Sequence, residues 1–505
     1  MILIHPPVAK PCEPPAGLAK IAGALRNNNV TFRVVDANLE GLLALLKSPP
    51  EGCNTWTRRA ARHLTANLAS LKQRTLYGEI SGYRRVVKDI NRILEVKAQP
   101  YGVRLGLANY QHKNLSPVRS RDLIESAKTP EGNPFYDYFN NRLAHVIEEE
   151  KPSFVGLSLN YLSQALTAFA IIGFIRKLRP SVKIIMGGGL ITSWMSSPDW
   201  RHTSFEGLVD YFVAGPGEGP LLNLLGITPV KKHVIPYYDC FPVDSYLAPG
   251  FVLPYSASTG CYWNKCAFCP EKAEGRPYTS LPSERVRQDL EILIEEKNPA
   301  LLHLLDNAVS PSLMEALVAV PPGVPWYGFA RISKQLTNPD FCRKLKLSGC
   351  VMLKLGIESG DQKVLDALDK GFDLRDASVV LKNLKEVGIA TYVYLLFGTP
   401  AETLDAALRT REFTIRHRDE IGFLNLAVFN MPAYGEDARV LETREFYRGD
   451  LSLYRSFTHP TGWSRQQVRQ FLDRKFRRNP AVSAILNREP LIFTSNHAPF
   501  FIMST

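Results

Sequence analysis

The sequence predicts an α/β protein: an N-terminal Rossmann-like domain with a helical insertion, a second domain of about six βα units forming a partial barrel, and a small C-terminal helical extension. Three observations predict it. A chain of 505 residues, 45% hydrophobic and 22% charged, has ordinary globular composition and is too long for one core. Short apolar runs alternate with amphipathic helical segments along two separate stretches, the pattern of parallel sheets covered by helices. Between them, residues 229–250 carry Pro, Gly and few periodic apolar positions and read as a linker. The expected organisation is 1–228 for the first domain, with its insertion at about 50–140, then 251–450 for the barrel and 451–505 for the extension.

In the first domain, residues 1–7 form an apolar run ending in Pro6 and Pro7. Residues 15–29 follow with helical spacing of Leu18, Ile21 and Leu25, and 31–38 read as a strand. After the insertion the alternation resumes with a strand at 153–161, a helix at 163–180, a strand running into Gly187, Gly188 and Gly189, and a last strand-to-helix passage through Gly215 and Glu218. In such a sheet the ligand crevice lies beyond the C-terminal strand ends. Pro6, Pro7, Asn160, Tyr161, Ser163, Gln164, Gly187, Gly188, Gly189, Gly215 and Glu218 fall there, turn-forming or small enough to let a large ligand approach the backbone. The three consecutive glycines lack the G-x-G-x-x-G spacing that cradles a pyrophosphate, which argues against a nicotinamide cofactor. His5 in its strand reads as packing.

The 61 Lys and Arg against 49 Asp and Glu give a net charge of +12. The excess is concentrated in the insertion and around 463–479, on segments with helical periodicity, and reads as basic solvent faces of packed helices rather than a nucleic-acid footprint. No stretch reaches the ~18 to 20 apolar residues that span a membrane, and residues 1–15 lack the features of a secretory signal, so a cytoplasmic protein is expected.

Eight cysteines are too sparse for a disulfide framework, yet Cys261, Cys266 and Cys269 crowd into one loop after a short strand. Three thiolates without a nearby fourth ligand would leave one position of a 4Fe-4S cluster open. The spacing is equally that of a three-Cys zinc site completed elsewhere, or of buried thiols. Downstream, helix and strand alternate from 283 to 432, and Asp306, Arg331, Glu358 and the run Gly398 to Pro400 fall at the C-terminal ends of strands, where a barrel places its active site.

The segment STGCYWNKCAFC resembles the radical S-adenosylmethionine (SAM) signature, including Phe268 before the last cysteine, although four residues separate Cys261 from Cys266 where the usual spacing has three. GIESGDQKVLDALDKG and YLLFGTP resemble the core of the same family over about 251–450, and the order of turns in 1–228 resembles the cobalamin-binding domain of cobalamin-dependent radical-SAM enzymes. That resemblance implies a 4Fe-4S cluster on Cys261, Cys266 and Cys269, and SAM bound near Phe268, Arg331, Glu358, Phe397 and Gly398, with Asp306 either contributing or capping its turn. It also implies cobalamin in the first crevice. The cobalamin fingerprint Asp-x-His-x-x-Gly is missing, so the corrinoid is expected without a protein His ligand.

The activity implied is cobalamin-dependent C-methylation of an unactivated carbon in a small molecule or peptide, with an electron donor such as flavodoxin or ferredoxin. Cyclisation, rearrangement and sulfur insertion are the alternatives within the same architecture. tRNA methylthiolation is disfavoured because the first domain, residues 1–228, has only Cys12 and Cys53, short of a second cluster. A non-catalytic zinc and RNA-binding protein lacks the expected repeated aromatic and basic pattern. His497, in an apolar and aromatic C-terminal stretch, reads as a core histidine rather than a ligand.

Overall fold

The computed structural model describes residues 1–47, 54–228 and 233–489. Cys53 and His497 lie outside them. The chain forms two compact units, Met1–Pro249 with Tyr447–Leu453, and Gly250–Phe446 with the rest of the described chain.

In the first unit, strands β1 (Ile2–Ile4) and β2 (Arg33–Val35), a hairpin of β3 (Val103–Gly106) and β4 (Asn109–His112), and strands β5 (Phe154–Ser158), β6 (Lys183–Gly187) and β7 (Tyr211–Phe212) follow in order. The main sheet has strand order β2-β1-β5-β6-β7 and is parallel throughout. The chain steps outward to β2 and then returns past β1 to β5, so the order reverses between β1 and β5, and the crevice of this doubly wound sheet lies beyond their C-terminal ends. The insertion is mostly helical, with the antiparallel β3–β4 hairpin as an addition to the expected helices. Its helix Ser120–Lys128 covers Leu162–Leu178, the helix that follows β5. This explains why Leu162–Leu178 is apolar nearly all round: residues 164–175 are buried. Gly173 permits the approach, since a Cβ there would stand 1.7 Å from the Ala127 carbonyl oxygen.

Residues 233–249 pack against the first unit instead of spanning free. Tyr237 N–H donates to the Ala19 carbonyl at 2.8 Å, the Tyr246 hydroxyl to Asp36 Oδ2 at 2.6 Å, and Tyr238 is buried. The tyrosines supply the apolar area that periodicity does not display.

The second unit begins with β8 (Val252–Tyr255) and the short pair β9 (Ser258–Thr259) and β10 (Thr279–Ser280), and continues with β11 (Leu301–Leu304), β12 (Trp326–Ala330), β13 (Cys350–Glu358), β14 (Ala390–Phe397) and β15 (Phe423–Val428). Six of these form a parallel sheet in sequential order β8-β11-β12-β13-β14-β15, the open six-strand barrel expected. Beyond it, residues 454–457 join a three-stranded antiparallel sheet, and helices at Arg465–Phe471 and Pro480–Leu486 complete the extension.

Replacing Gly173 by Val forces a side chain into the Ala127 backbone, which cannot swing aside as a side chain would. The substitution should lower the free energy of unfolding by about 3 kcal/mol in urea titration, whereas Gly132→Ala, with nothing within 4 Å of the added Cβ, should change it little.

Candidate functional site

The cysteine loop runs from Gly260, through Cys261, Cys266 and Cys269, to the one-turn helix Pro270–Ala273. Gly260 has a φ of +71°, and a Cβ there would lie 2.5 Å from the Pro277 carbonyl oxygen, so glycine is required where β9 turns into the loop. Inside the loop, a second chain segment dictates the path. The carbonyls of Leu368, Asp369 and Lys370, following the helix Gln362–Ala367, accept in turn from Ala267 N–H at 3.1 Å, from the Trp263 indole N–H at 2.7 Å, and from the Arg331 guanidinium. Gly371 makes room: a Cβ there would sit 2.1 Å from the Trp263 ring, and the Arg331 guanidinium lies 4.3 Å above that ring's centroid.

The loop holds its thiols in a positive setting. Arg331 Nη1 stands 3.5 Å from Cys266 Sγ. Burial raises the Cys269 thiol above its ordinary value, backbone N–H groups of Lys272 and Glu271 oppose that shift, and the thiolate charges of Cys266 and Cys261 add to it. Three sulfurs that sense one another's charge, faced by a guanidinium and helix N-terminal amides, suit an anionic cluster held by thiolates. The remaining described cysteines differ in kind. Burial pushes Cys342 up to about 11 and Cys240, though only partly buried, up to about 12, and Cys342, Cys350 and Cys12 are buried in the core, so none of these four is a poised thiolate. Among the described residues, no three His, Cys, Asp or Glu side chains stand as ligands of a single metal ion.

Glu358 ends β13 with a φ of +68°, after a break in register between Gly356 and Glu358. Its Oε1 pairs with Lys370 Nζ at 3.2 Å, both side chains being nearly buried, and Lys370 Nζ also lies 5.4 Å from the Phe268 ring centroid. Phe268 packs on Val364, Leu368 and Ala406, and on Leu396, Phe429 and Met431. Thus Phe268, Arg331 and Glu358 gather around the cysteine loop, joined by Lys370 and Trp263, which no local pattern singles out. Asp306 is engaged elsewhere: its carboxylate accepts from Ala257 N–H at 3.1 Å and from the Ser258 hydroxyl, and burial raises its pKa. It anchors the chain entering β9, a long-range contact rather than the cap of its own following turn that the sequence suggested.

Phe397 and Gly398 form the end of β14. Gly398 has a φ of +79°, and its N–H donates to Glu402 Oε2 at 2.5 Å. Glu402 is buried, and its Oε1 has no hydrogen-bond partner. Burial pushes its carboxyl up to about 7, against the N–H donors of Gly398 and Trp463. Sequence reading missed it, although a Glu directly after a strand-end GTPA run was the available signal.

The first unit brings its predicted crevice residues together. Gln164 clamps the β1 and β5 ends: its Nε2 donates to the Pro6 carbonyl at 2.7 Å, while its Oε1 accepts from Asn160 N–H at 2.9 Å and Tyr161 N–H at 3.1 Å. The Ser163 hydroxyl donates to the Val8 carbonyl at 2.8 Å, just past Pro7, and Gly189 N–H to Asn160 Oδ1 at 2.9 Å. Tyr161 is 59% exposed. Gly188 has a different reason from the one the ligand reading supplies: with a φ of +107°, a Cβ would stand 2.5 Å from the Leu159 carbonyl oxygen, so the chain itself needs glycine there. Gly187, at the end of β6, accepts from Leu159 N–H at 2.7 Å. Gly215 N–H donates to the Thr192 hydroxyl at 2.9 Å, and Glu218 pairs with Lys20 at 3.0 Å. His5 is buried, with Nδ1 lacking a partner, and burial lowers its pKa.

Residues 255–414 match the Radical SAM superfamily. The chain is 24% identical over 311 residues to an uncharacterized methyltransferase of Pyrococcus horikoshii, an alignment covering 54% of this chain and 66% of that one. It thus spans less than two thirds of the curated relatives it matches. Two solved structures share the fold: the radical SAM methyltransferase TsrM of Kitasatospora setae, with cobalamin and a [4Fe-4S] cluster bound (TM-score 0.54, 15% identity, 90% of this chain and 84% of that one), and the cobalamin-dependent SAM radical enzyme OxsB with aqua-cobalamin bound (TM-score 0.57, 13% identity, 94% and 66%). The resemblance read from the sequence, to radical-SAM enzymes with a cobalamin-binding domain, is the one these comparisons return.

Glu402 makes folding pH-dependent with a definite sign. A carboxyl raised from 4.5 to about 7 by burial stabilises the fold fully at low pH, and that stabilisation is lost as pH rises through 7. Between pH 4.5 and 8 this carboxyl should withdraw roughly 3 kcal/mol. Glu402→Gln should remove that slope from urea unfolding measured across the same range.

Proposed function

We propose that this chain, a radical-SAM enzyme with the fold of the cobalamin-dependent members, is a C-methyltransferase that holds a 4Fe-4S cluster, SAM and cobalamin and acts on an unactivated carbon of a small molecule or peptide. The observation that carries this reading is the three-thiol loop gripped beneath Arg331, Lys370 and Glu358 inside a radical-SAM domain. When bound, the cluster with SAM supplies a carbon-centred radical and the corrinoid a methyl carrier, chemistry that belongs to the cofactors.

The protein's contribution is placement. Cys261, Cys266 and Cys269 would hold the cluster, three thiolates for a group that would bind and reduce SAM. Arg331, donating towards Cys266 and the Lys370 carbonyl, stabilises the thiolate and fixes the loop. Glu358, held by Lys370 on one oxygen, accepts from the SAM ribose hydroxyls or ammonium on the other. Phe268 and the Phe397–Gly398 turn flank the adenine. In the first unit, Pro6, Pro7, Asn160, Tyr161, Ser163, Gln164 and the turns at Gly187, Gly189, Gly215 and Glu218 receive the corrinoid. His5, buried just after β1, is taken as packing, leaving the corrinoid without a protein His ligand. Turnover draws on an electron donor of the flavodoxin or ferredoxin kind.

Anaerobic reconstitution tests the reading. About four irons and four sulfides per chain are expected, with a corrinoid retained through desalting, and joint replacement of Cys261, Cys266 and Cys269 by Ala should abolish the iron and SAM cleavage. Zinc in place of iron, or no retained corrinoid with turnover that needs none, would overturn it. Bound cob(II)alamin should show an electron-spin spectrum without nitrogen splitting from a lower ligand.

Glu358→Gln removes a charged acceptor. It should weaken SAM binding by about 10- to 100-fold while iron content stays unchanged. Equilibrium dialysis with labelled SAM measures it, and wild-type affinity would leave Glu358 as the partner of Lys370 alone.

A further inference from the structure

The segment following the barrel touches the end of β14 residue by residue. Phe471 and Phe476 place their ring centroids 6.2 and 5.1 Å from that of Phe397. Val468 lies against Gly398, where an added Cβ would come within 3.1 Å of its Cγ2. His459 Nε2 stands 2.8 Å from the Thr399 carbonyl oxygen. Trp463 Nε1 donates to Glu402 Oε2 at 2.9 Å, the same oxygen that accepts from Gly398 N–H. Each of Phe397, Gly398, Thr399 and Glu402 therefore has a partner from residues 459–476. Trp463, Val468, Phe471 and Phe476 are themselves buried, so these contacts are not rearranged cheaply.

Within itself the turn has two hydrogen bonds, Glu402 N–H to the Thr399 carbonyl at 2.9 Å and Gly398 N–H to Glu402 Oε2. Gly398 is left-handed, the Thr399 hydroxyl has no hydrogen-bond partner, and both acceptors of those two bonds, Glu402 Oε2 and the Thr399 carbonyl, are shared with residues 459–476. The Glu402 carboxyl is then a clamp with one jaw on the turn and one on the later segment. Losing the indole N–H leaves the Oε2 of a buried carboxyl with one donor where it had two, a loss that falls on the turn.

We infer that residues 459–476 are a working part of the SAM site, with Trp463 and His459 as positioning residues that fix the Phe397–Thr399 turn through Glu402 and the Thr399 carbonyl. This rests on the assignment of Phe397 and Gly398 to SAM proposed above. It also gives the extension a function that its basic, helical sequence does not suggest.

The test is SAM affinity, measured by equilibrium binding to anaerobically reconstituted full-length protein, with iron content and melting temperature recorded for each variant. Trp463→Phe keeps the ring and removes the donor, and should raise the dissociation constant about five- to tenfold at unchanged iron content. His459→Ala should raise it as well, and His459→Gln, which restores a donor to the Thr399 carbonyl, should recover most of the loss. Unchanged SAM affinity in both Trp463→Phe and His459→Ala would overturn the inference, as would a lower melting temperature without a change in affinity. A wild-type protein that carries its cluster but binds no SAM would instead refute the assignment of the site on which the inference rests.

Discussion

Three consecutive carbonyls, those of Leu368, Asp369 and Lys370, set the geometry on which the site depends. Between them they hold the backbone at Ala267, the side chain of Trp263 and the guanidinium of Arg331, and thereby fix the cysteine loop at two points on either side of Cys266, and the cation beside that central thiol. A loop with an irregular path and a left-handed Asn264 has no ladder of its own, so its backbone groups find partners from a neighbouring segment. The extra residue between Cys261 and Cys266 lies within the stretch that carries Trp263, whose ring occupies the space left by Gly371. The added length is absorbed by a side chain wedged in place.

The same segment supplies Lys370, and with it the ion pair to Glu358. A buried pair of this kind contributes little net stability, yet loss of one partner strands the other and costs about 3 to 5 kcal/mol. It fixes a carboxylate at the end of β13, beside the cysteine loop. Glu402 does similar work at the end of β14, with the difference that its partners are neutral N–H groups and its charge is therefore held less firmly. Both carboxylates stand where a parallel barrel leaves its strand ends open, the place where fixed polar groups meet a ligand without disturbing the packed layers below.

Much of this was legible in the sequence because the informative features are local. Strand and helix periodicity gave the parallel sheets, and the cysteine spacing with its flanking residues gave the loop. Strand-end positions gave Arg331, Glu358 and the Phe397–Gly398 turn. Partners contributed from far along the chain were not legible. Lys370 is an unremarkable lysine until the turn folds it onto Glu358, and Trp463 looks like the start of a basic helix until its indole reaches Glu402. Glycines misled for the same reason: Gly188 lies in a run that suggests a ligand cradle, whereas the atom that excludes a side chain there belongs to Leu159. Residues 233–249 have a linker's composition and still pack, because tyrosines bury area without periodicity.

The central claim is that the Cys261, Cys266 and Cys269 loop holds a cluster with one iron open to SAM. The electron-spin spectrum of the reduced, reconstituted protein, recorded with and without SAM and with nothing else added, tests it most directly. The account predicts the spectrum of a single reduced 4Fe-4S cluster whose g values shift when SAM is added, because the ligand binds the iron that lacks a thiolate. A cluster spectrum indifferent to saturating SAM, or no cluster signal from protein carrying zinc, would contradict it.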